Sequence, residues 1–545
     1  MKTSQQLRSD EGFDRNFRQI SGLTALSRLL GFIRDITFAQ FLGAGPATDA
    51  FLVAFKLPNL FRRLTADGAM TNAFLPVFSS VRQQQGREAA LILAAEVQVL
   101  LFLVLSAIVV VAEIFMPFVI GFLAPGFRQD PDLFAATTSL ARITIPYLPM
   151  ISLVALWAAV TNAHDRFFGG AAAPVILNIF LIAGALSIPV LSGPLQSWPV
   201  LGLLGGALAP DNPILALAMP ICISVLIAGA CQMALMQRML GRIAARPVWQ
   251  MPRLSDNSRK MWRAFLPAAL GAGGLQLNLL IDMILASLVS VGAISWLYYA
   301  DRIVQLPLGV IGIALGTALL PQLSKLESEK DTKAVGERLS HSLHIAAFFA
   351  LPAACGVVIA SDVIIAGLFG YGAFSKTDVL NAGMALAAYG LGLPAFVINK
   401  ILQPAFFASD RGSFVLKISL LSVAVNIVAS LLLMQVLGHV GLALATSLAS
   451  WVGVLIMGAL LVKEGRILIT AFRPVLKILI SAGLMTVMIA LVFMLLPSYH
   501  QMTMGAVVHL CVILAVGLTS YFAIGHLLRI IPPFLFRRLR PSRKT

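Results

Sequence analysis

The sequence predicts an all-α integral membrane protein with about 14 transmembrane helices, and three observations support this class. The chain of 545 residues is 59% hydrophobic and only 12% charged, with a mean hydropathy of +0.89, whereas about a quarter of the residues in a soluble domain are charged. Apolar stretches long enough to cross a bilayer recur from Ile20 to Ile530. Lys and Arg collect in the short connections between them, so the net charge of +16 indicates membrane topology and not nucleic-acid binding.

Hydropathy and loop charge together define the predicted spans. Connections assigned to the cytoplasm are rich in Lys and Arg, and 238–263 alone contains seven. Connections assigned to the outside contain at most one each, so both termini are predicted to be cytoplasmic. The first 19 residues are polar and are not expected to form a cleavable signal peptide. The predicted spans are 20–42, 48–64, 90–123, 134–161, 168–192, 213–237, 262–289, 293–320, 340–370, 378–406, 413–436, 440–462, 474–496 and 504–528.

A weak internal repeat suggests two related lobes. When 49–80 is laid over 294–325 without gaps, NAFLPVFSS aligns with TALLPQLSK and Lys56 falls on Asp301. Two lobes around a central cavity are typical of transporters, although chance similarity remains the alternative. The predicted parts are a cytoplasmic segment 1–19, an N-lobe 20–237, a basic cytoplasmic loop 238–261, a C-lobe 262–462, a final helix pair 463–528 and a basic cytoplasmic tail 529–545.

Several predicted spans contain charged side chains. Such residues cost about 2.5–3.5 kcal/mol each on insertion scales and usually face protein or water. Arg28 and Asp35 are seven residues apart, about two turns, and are expected to share a face. The predicted cavity is net positive, and guanidinium groups bind phosphate oxygens in pairs, which favours a phosphate or diphosphate cargo. The charged residues are Arg28, Arg34, Asp35, Asp49, Lys56, Arg62, Arg63 and Asp67 in the first half, and Asp282, Asp301 and Arg302 in the second.

Each group of charges also has a structural interpretation. Cations at a helix end can act as positive-inside anchors. Charges inside a span can form internal ion pairs, and an aspartate after a turn can cap a helix. The anchor interpretation applies to Arg62 and Arg63. The ion-pair interpretation applies to Arg28 or Arg34 with Asp35, and to Arg302 with Asp301. The capping interpretation applies to Asp49, which follows the GAGPAT turn.

Three long stretches surround these charges: SRLLGFIRD at Ser27–Asp35, FLGAGPATDAFLVAFKLPNLFRRLTADGA at Phe41–Ala69, and SWLYYADRIVQLPLGVIGIALGTALLPQLSK at Ser295–Lys325. They resemble the MurJ (MviN) lipid II flippase family of the multidrug/oligosaccharidyl-lipid/polysaccharide exporter superfamily. The resemblance covers essentially the whole chain. It implies two six-helix lobes, a final helix pair forming a groove for the polyprenyl tail, and a central cavity that opens alternately inward and outward.

The resemblance also implies a cargo and its contacts. The cargo would be lipid II, an undecaprenyl-diphosphate glycopeptide, moved from the inner to the outer leaflet of the bacterial cytoplasmic (inner) membrane. Membrane lipids are expected partners, and proteins of the cell-wall synthesis or division machinery are candidate partners. The residues on family motif positions, expected to bind the head group, are Arg28, Arg34, Asp35, Asp49, Lys56, Arg62, Asp67, Ser295, Asp301 and Arg302.

Repeated transport needs a driving force, although no cofactor is expected. The membrane potential favours inward movement of positive charge by about 2.3 kcal/mol per charge per 100 mV. An inward-moving cation, sodium or proton, would therefore reset the carrier. By resemblance to a sodium-binding family member, Asp282 and Asn426 are candidates for the cation site.

Other functions compete with this interpretation. A cation-coupled multidrug exporter of the same superfamily would rely on acidic and aromatic cavity residues, and a lipid-linked polysaccharide exporter is disfavoured only by the motifs. An enzyme acting on polyprenyl phosphates would need acidic metal-binding clusters or a catalytic base. The sequence has no paired-aspartate motif, its seven histidines are scattered, and its four cysteines lie in apolar segments as packing residues. We therefore predict a transporter and not an enzyme.

Overall fold

The apolar pattern of the sequence folds into helices in a computed structural model, which describes residues 4–64, 70–191, 212–251, 253–467, 473–495 and 503–532. Every regular element within these ranges is a helix. The chain divides into two compact units, Met1–Gly292 (unit 1) and Ala293–Thr545 (unit 2). Across the described residues, eleven helical segments are long and apolar enough to cross a membrane. The chain is therefore a multi-pass membrane protein.

Unit 1 contains the helices that carry the first group of charges. A short 3-10 helix at Pro125–Gln129 separates two of them. The helices are α1 Ser4–Leu42, α2 Pro46–Ala54, α3 Lys56–Leu64, α4 Met70–Gln85, α5 Arg87–Ile114, α6 Met116–Leu123, α7 Pro131–Thr144, α8 Tyr147–Asn162, α9 Phe168–Leu191, α10 Pro213–Arg242 and α11 Asp256–Val289.

Unit 2 contains the second copy of the repeat and the final helix pair. A π-helical segment at Leu308–Ile313 lies between its first two α-helices, directly after Pro307. The helices are α12 Ala293–Pro307, α13 Ala314–Ser328, α14 Thr332–Ile359, α15 Ser361–Phe369, α16 Lys376–Ala408, α17 Gly412–Leu437, α18 His439–Lys463, α19 Arg473–Leu495 and α20 Thr503–Leu527.

Three predicted spans are helical but are not among the eleven apolar segments. Span 20–42 lies in α1, which carries several charges, and span 48–64 is divided into the short helices α2 and α3. Span 262–289 lies in α11, of which only Asn278–Val289 qualifies as a shorter apolar helix. The predicted count of about 14 is therefore consistent with the eleven segments plus these three.

A proline explains the division between α2 and α3. Pro58 has no N–H, so it cannot donate to the carbonyl of Ala54, and its ring disfavours a continuous helix at that point. The α2 helix ends at Ala54, and the Thr144 hydroxyl of α7 donates to the Ala54 carbonyl oxygen at 2.8 Å. A buried backbone acceptor is thus satisfied by another helix, as burial requires. The break between the two helices lies at Phe55, three residues before Pro58.

Two further prolines in unit 2 expose carbonyls without breaking their helices. Pro352 lies inside α14, and the Tyr521 hydroxyl of α20 donates to the Phe348 carbonyl at 2.6 Å. Pro404 lies inside α16, and the Lys400 carbonyl that it leaves unbonded within the helix packs against the backbone of Gly316 in α13, where no Cβ would fit. Cross-helix contacts of this kind connect helices that are far apart in sequence.

The final helix pair packs on unit 2 through a buried apolar cluster. Ile478 and Met485 of α19 and Leu510 and Tyr521 of α20 lie in this cluster with Phe348 of α14. The other faces of these helices expose large aliphatic side chains, as expected of a lipid-facing surface. The pair 463–528 was predicted to stand apart from the lobes, and its described residues belong to unit 2.

The boundary between the units differs from the predicted start of the C-lobe at 262. The α11 helix packs within unit 1, chiefly on α4 and on the 3-10 helix at Pro125–Gln129. Its start is also bound there, because the Ser255 hydroxyl donates to Glu96 of α5 at 2.5 Å. The observed units therefore divide after Gly292, one helix later than the predicted lobes.

Candidate functional site

Arg34, in the apolar second half of α1, is held by two other side chains. Its Nε and Nη2 donate to Asp35 Oδ1 at 3.0 and 2.7 Å, and its Nη1 donates to Asn178 Oδ1 at 2.9 Å. Its guanidinium carbon lies 5.8 Å from the ring centroid of Phe38. Only 14% of the Arg34 side chain and 2% of that of Asp35 are exposed. The pair has the geometry of an internal ion pair and adds no net charge to the site.

Asn178 of α9 connects this pair to the backbone of α1. Its Nδ2 donates to the Ser27 carbonyl at 3.1 Å while its Oδ1 accepts from Arg34, and the residue is buried. The amide therefore fixes the position of the guanidinium relative to α1. Our sequence reasoning missed this residue. The available signal was a lone amide within the apolar segment APVILNIFLIAG, because buried polar groups in membrane helices need partners.

Asp49 lies in the first turn of α2 and is fully buried. Its Oδ2 accepts from the backbone N–H of Gly292 at 2.5 Å, and Gly292 has a φ of +91°, a conformation that favours glycine. The N-cap interpretation of Asp49 is wrong, because Gly45 occupies the N-cap position. Asp49 instead accepts a hydrogen bond from the turn that follows α11. Its carboxylate lies close to the N-terminus of α2, where a negative charge is stabilised.

Lys56 connects the charged helices to α11. Its Nζ donates to the Leu279 carbonyl at 3.0 Å, and Asp282 follows less than one turn later and accepts from Asn278 Nδ2 at 3.2 Å. The backbone break at Phe55 places Asp49 and Lys56 on separate short helices. Asp49 and Lys56, although seven residues apart in sequence, therefore do not lie on one face of a continuous helix.

Arg28 and Arg62 are the unit 1 arginines with the most accessible guanidinium groups among those expected to bind cargo. Arg28 is exposed on α1, and Arg62 is half-buried, with its Nε donating to Asn59 Oδ1 at 3.1 Å. Asp67 lies outside the described residues, as does the side chain of Arg63. The unit 1 charges therefore include one exposed and one partly exposed guanidinium in addition to Arg34, which is paired with Asp35 and Asn178.

In unit 2, α12 carries Ser295, Asp301 and Arg302. Arg302 stacks on Tyr298, with its guanidinium carbon 4.8 Å from the ring centroid, and its Nη2 donates to the Tyr298 hydroxyl at 3.1 Å. Gln305 accepts from Arg302 Nη1 at 3.4 Å and donates to Asp301. Ser295 is fully buried. Tyr298 and Gln305 were not predicted, although their spacing of four and three residues, respectively, from Arg302 places them on its helical face.

The start of α12 is held by contacts between Trp296 and two other helices. Trp296 Nε1 donates to Asp378 Oδ1 at 2.8 Å, and the Trp296 ring packs against His439 with 4.9 Å between centroids. His439 in turn bonds to the Asn381 carbonyl through Nε2 at 2.9 Å. These contacts come from the starts of α16 and α18. They hold the helix segment that presents Ser295 and Arg302.

The two residues suggested for a cation site belong to different units. Asp282 lies in α11 of unit 1, and the buried Asn426 lies in α17 of unit 2, where its Oδ1 accepts from Thr446 at 3.3 Å. Within the ranges that the structure describes, no three His, Cys, Asp or Glu side chains cluster as metal ligands would. The cation site stays a prediction, as does a shared chamber for the charges of both units.

The comparisons with known proteins agree with one another. The family model described as lipid II flippase MurJ matches residues 38–515. A probable lipid II flippase MurJ of Rhizobium meliloti is 37% identical over 518 residues, covering 94% of this chain and 93% of that protein. A probable lipid II flippase MurJ of Rickettsia prowazekii is 32% identical over 513 residues, covering 93% of this chain and 96% of that protein.

Solved structures show the same fold. One described as lipid II flippase MurJ in an inward closed conformation has a TM-score of 0.74 at 23% identity, covering 95% of this chain and 99% of that chain. A multidrug resistance MATE family transporter of the MOP superfamily, in an inward-facing conformation, has a TM-score of 0.60 at 14% identity, covering 81% of this chain and 96% of that chain. With the match over residues 38–515, this chain belongs to the lipid II flippase MurJ family.

Proposed function

We propose that this chain is a lipid II flippase, a transporter that carries the undecaprenyl-diphosphate-linked peptidoglycan precursor across the cytoplasmic membrane and makes or breaks no bond. Family membership supports the cargo. The carrying observation is the set of arginines within membrane helices, of which Arg34 is bound to Asp35 and Asn178. A chain this apolar keeps such groups inside it only at a cost, which a polar cargo head group would explain.

The accessible cations would bind the diphosphate first. Arg28 is exposed, and Arg62 and Arg302 are partly exposed, so an anion can reach their guanidinium groups. Arg34 is engaged by Asp35 and Asn178, so it would bind the cargo by exchanging these partners for phosphate oxygens. Paired N–H donors suit that exchange, because a guanidinium binds carboxylate and phosphate oxygens with similar geometry.

The transport cycle would be alternating access from the inner to the outer leaflet, with both termini in the cytoplasm. A large polar head group cannot cross hydrocarbon unaided, whereas the polyprenyl tail can stay in lipid. The outer faces of α19 and α20 are apolar, which suits contact with such a tail. The break at Phe55 and the π segment Leu308–Ile313 lie in the two copies of the repeat and are the places where the charged helices would bend.

The membrane potential would reset the empty carrier through an inward-moving cation, sodium or proton, with Asp282 and Asn426 as candidate ligands. Proteins of cell-wall synthesis or division are proposed as further partners. A cation-coupled multidrug or lipid-linked polysaccharide exporter is the alternative function. Its support is the shared fold of the MATE transporter.

The cargo is tested by depleting the protein from living cells and measuring lipid II in the outer leaflet. We expect the outer-leaflet pool to fall, wild type to restore it, and Arg34→Ala to fail. Arg338→Ala, which removes an exposed arginine at the start of α14, is the matched control and should restore transport fully. An unchanged pool after depletion would refute the cargo, and full rescue by Arg34→Ala would remove Arg34 from the mechanism.

A further inference from the structure

The connection between α10 and α11, residues 243–255, exposes large apolar side chains where a soluble loop would be polar. Val248 is 71% exposed, Trp249 51%, Met251 81% and Leu254 51%. Four such residues within a short stretch form a surface that water does not favour. Its composition differs from that of a polar linker, and the exposure of its apolar residues suggests contact with an apolar environment.

Several contacts fix this connection along α5. Arg87 Nη2 donates to the carbonyls of Ile243 and Ala244 at 2.6 and 3.0 Å, and Ser255 donates to the buried Glu96 at 2.5 Å. The connection is therefore attached at both of its ends. Its orientation, and the side on which its apolar residues are exposed, are set by unit 1.

One contact joins the connection to the lipid-facing surface. The Trp249 ring packs edge to face on Phe102 of α5, with 5.3 Å between centroids. Phe102 is itself 37% exposed, beside the 47% exposed Leu103, in a segment with the composition of a membrane span. The exposed face of the connection thus continues the surface that α5 presents to lipid. Tryptophan is enriched where a protein surface passes from hydrocarbon to head groups.

Cations surround this apolar surface. Residues 238–263 contain seven Lys and Arg and a single acid, Asp256. Arg253, Arg259 and Lys260 are exposed beside the apolar residues, at the start of α11. Apolar side chains flanked by cations are the combination that binds anionic head groups at a bilayer surface.

We propose that the α10–α11 connection lies in the head-group region of the bilayer and binds anionic phospholipids there, with Trp249 and Met251 inserted and the neighbouring cations on the phosphates. A protein partner would not need the continuity with α5. Because Ser255 is the N-cap of α11, lipid bound at this place acts on the start of the helix that carries Asp282.

Lipid selectivity tests the charges. Purified full-length protein in detergent is titrated with fluorescent phosphatidylglycerol or phosphatidylcholine, and the ratio of apparent affinities is measured. The variant Arg253→Gln/Arg259→Gln/Lys260→Gln should lose about tenfold or more of the preference for phosphatidylglycerol. The control Lys330→Gln/Lys333→Gln/Arg338→Gln removes the same charge from the segment around the start of α14, which has no large exposed apolar residue, and should change the preference less than about twofold. Equal effects of the two variants would overturn the proposal.

Insertion is tested in vesicles of phosphatidylcholine and phosphatidylglycerol that contain acyl-chain-brominated lipid. Subtracting the tryptophan fluorescence of Trp249→Phe from that of wild type isolates Trp249 from the other tryptophans, and we expect this difference to be quenched by bromine and protected from aqueous iodide. Quenching by iodide and not by bromine would place the connection in water, as a docking site for a soluble protein would be, and would overturn the proposal. Both measurements report lipid contact and not transport.

Discussion

Pro58 in unit 1 and Pro352 in unit 2 open the helical backbone in the same way, yet only Pro58 coincides with a helix break. Each leaves a carbonyl that a distant hydroxyl satisfies, Thr144 for Ala54 and Tyr521 for Phe348. The break divides the segment that carries Asp49, Lys56 and Arg62, whereas α14 stays a continuous helix on which the final helix pair packs. The same chemistry therefore accompanies a helix break near the candidate site, which we expect to act as a hinge, and a continuous helix away from it.

The largest expected effect comes from removing the prolines. Pro58→Ala restores an N–H that can bond to Ala54 and removes a penalty of about 3 kcal/mol for a continuous helix. We expect α2 and α3 to fuse and lipid II transport to fall about tenfold or more, with the protein still folded, because a hinge has been lost. Pro352→Ala is the matched control and should leave transport within about twofold. Equal transport by the two variants, measured in reconstituted vesicles, would break the comparison.

The Lys400 carbonyl, which Pro404 leaves without a helical N–H donor, allows a test of how closely α13 and α16 pack. A methyl group at Gly316 meets this backbone oxygen, so Gly316→Ala should lower the free energy of unfolding by about 1–3 kcal/mol. Gly356 of α14 has open space around the same position, so Gly356→Ala should raise it by about 0.5–1 kcal/mol. Thermal unfolding in detergent measures both. A stable Gly316→Ala would show that α13 and α16 do not pack closely in solution.

Removing the hydroxyls that bond to these carbonyls should lower the free energy of unfolding by a similar amount. Thr144→Val and Tyr521→Phe each leave a buried carbonyl unsatisfied, at about 1–3 kcal/mol. Thr138→Val is the control, because the Thr138 hydroxyl bonds to the Phe134 carbonyl in its own helix, and we expect a change within about 0.5 kcal/mol. Pro58→Ala should suppress the defect of Thr144→Val, since the new N–H serves the same carbonyl. Additive effects would contradict this account of the hinge.

The smallest expected effect concerns ion pairs outside the membrane spans of unit 2. Arg411 donates to both carboxylate oxygens of Glu464 at 2.7 and 2.8 Å, and Arg466 bonds to Glu464 and Glu327. The hydrogen bond from Arg411, with the charges of both arginines, holds the pKa of Glu464 below its ordinary value of 4.5, and the pKa of Arg411 is raised chiefly by the same bond.

A lowered carboxyl pKa stabilises the fold at neutral pH and loses that contribution on acidification. The stabilisation is complete above the ordinary pKa of 4.5 and disappears as pH falls through the lower folded value. Both side chains are about one third exposed, so we expect at most about 1 kcal/mol. Glu464→Gln should flatten the acid limb of the unfolding profile, and Glu337→Gln, at an exposed position, should not. An unaltered acid limb in Glu464→Gln would show that this ion pair does not contribute to the stability of unit 2.

The sequence predicted most of the spans, because lipid requires long apolar helices and topology requires alternating charge. It could not predict which proline breaks its helix. The hydroxyls that complete the backbone lie 90 residues from Ala54 and 173 residues from Phe348, so nothing near either proline indicates them. For the same reason the sequence does not indicate that α11 packs on α4 of unit 1, since that packing is a tertiary contact.

The candidate site was predictable in its charges but not in their partners. Arg34 and Asp35 stood out because they interrupt an apolar segment. Asn178 lies 144 residues from Arg34, and only packing of α9 on α1 brings them together. Asp49 was expected to bind the head group or to cap its own helix, and its Oδ2 accepts a hydrogen bond from the amide of Gly292, 243 residues away. Local pattern identifies which residues are costly in lipid, and tertiary structure decides how each is stabilised.

The contacts of Arg34 have a consequence for turnover. An anion that replaces Asp35 and Asn178 at this guanidinium exchanges existing hydrogen bonds for new ones, so the net affinity gained is smaller than the gross strength of an arginine–phosphate contact. A buried guanidinium without such partners would bind the anion more tightly and release it more slowly. Because Asp35 and Asn178 compete with the anion for Arg34, they should favour its release at the end of each transport cycle.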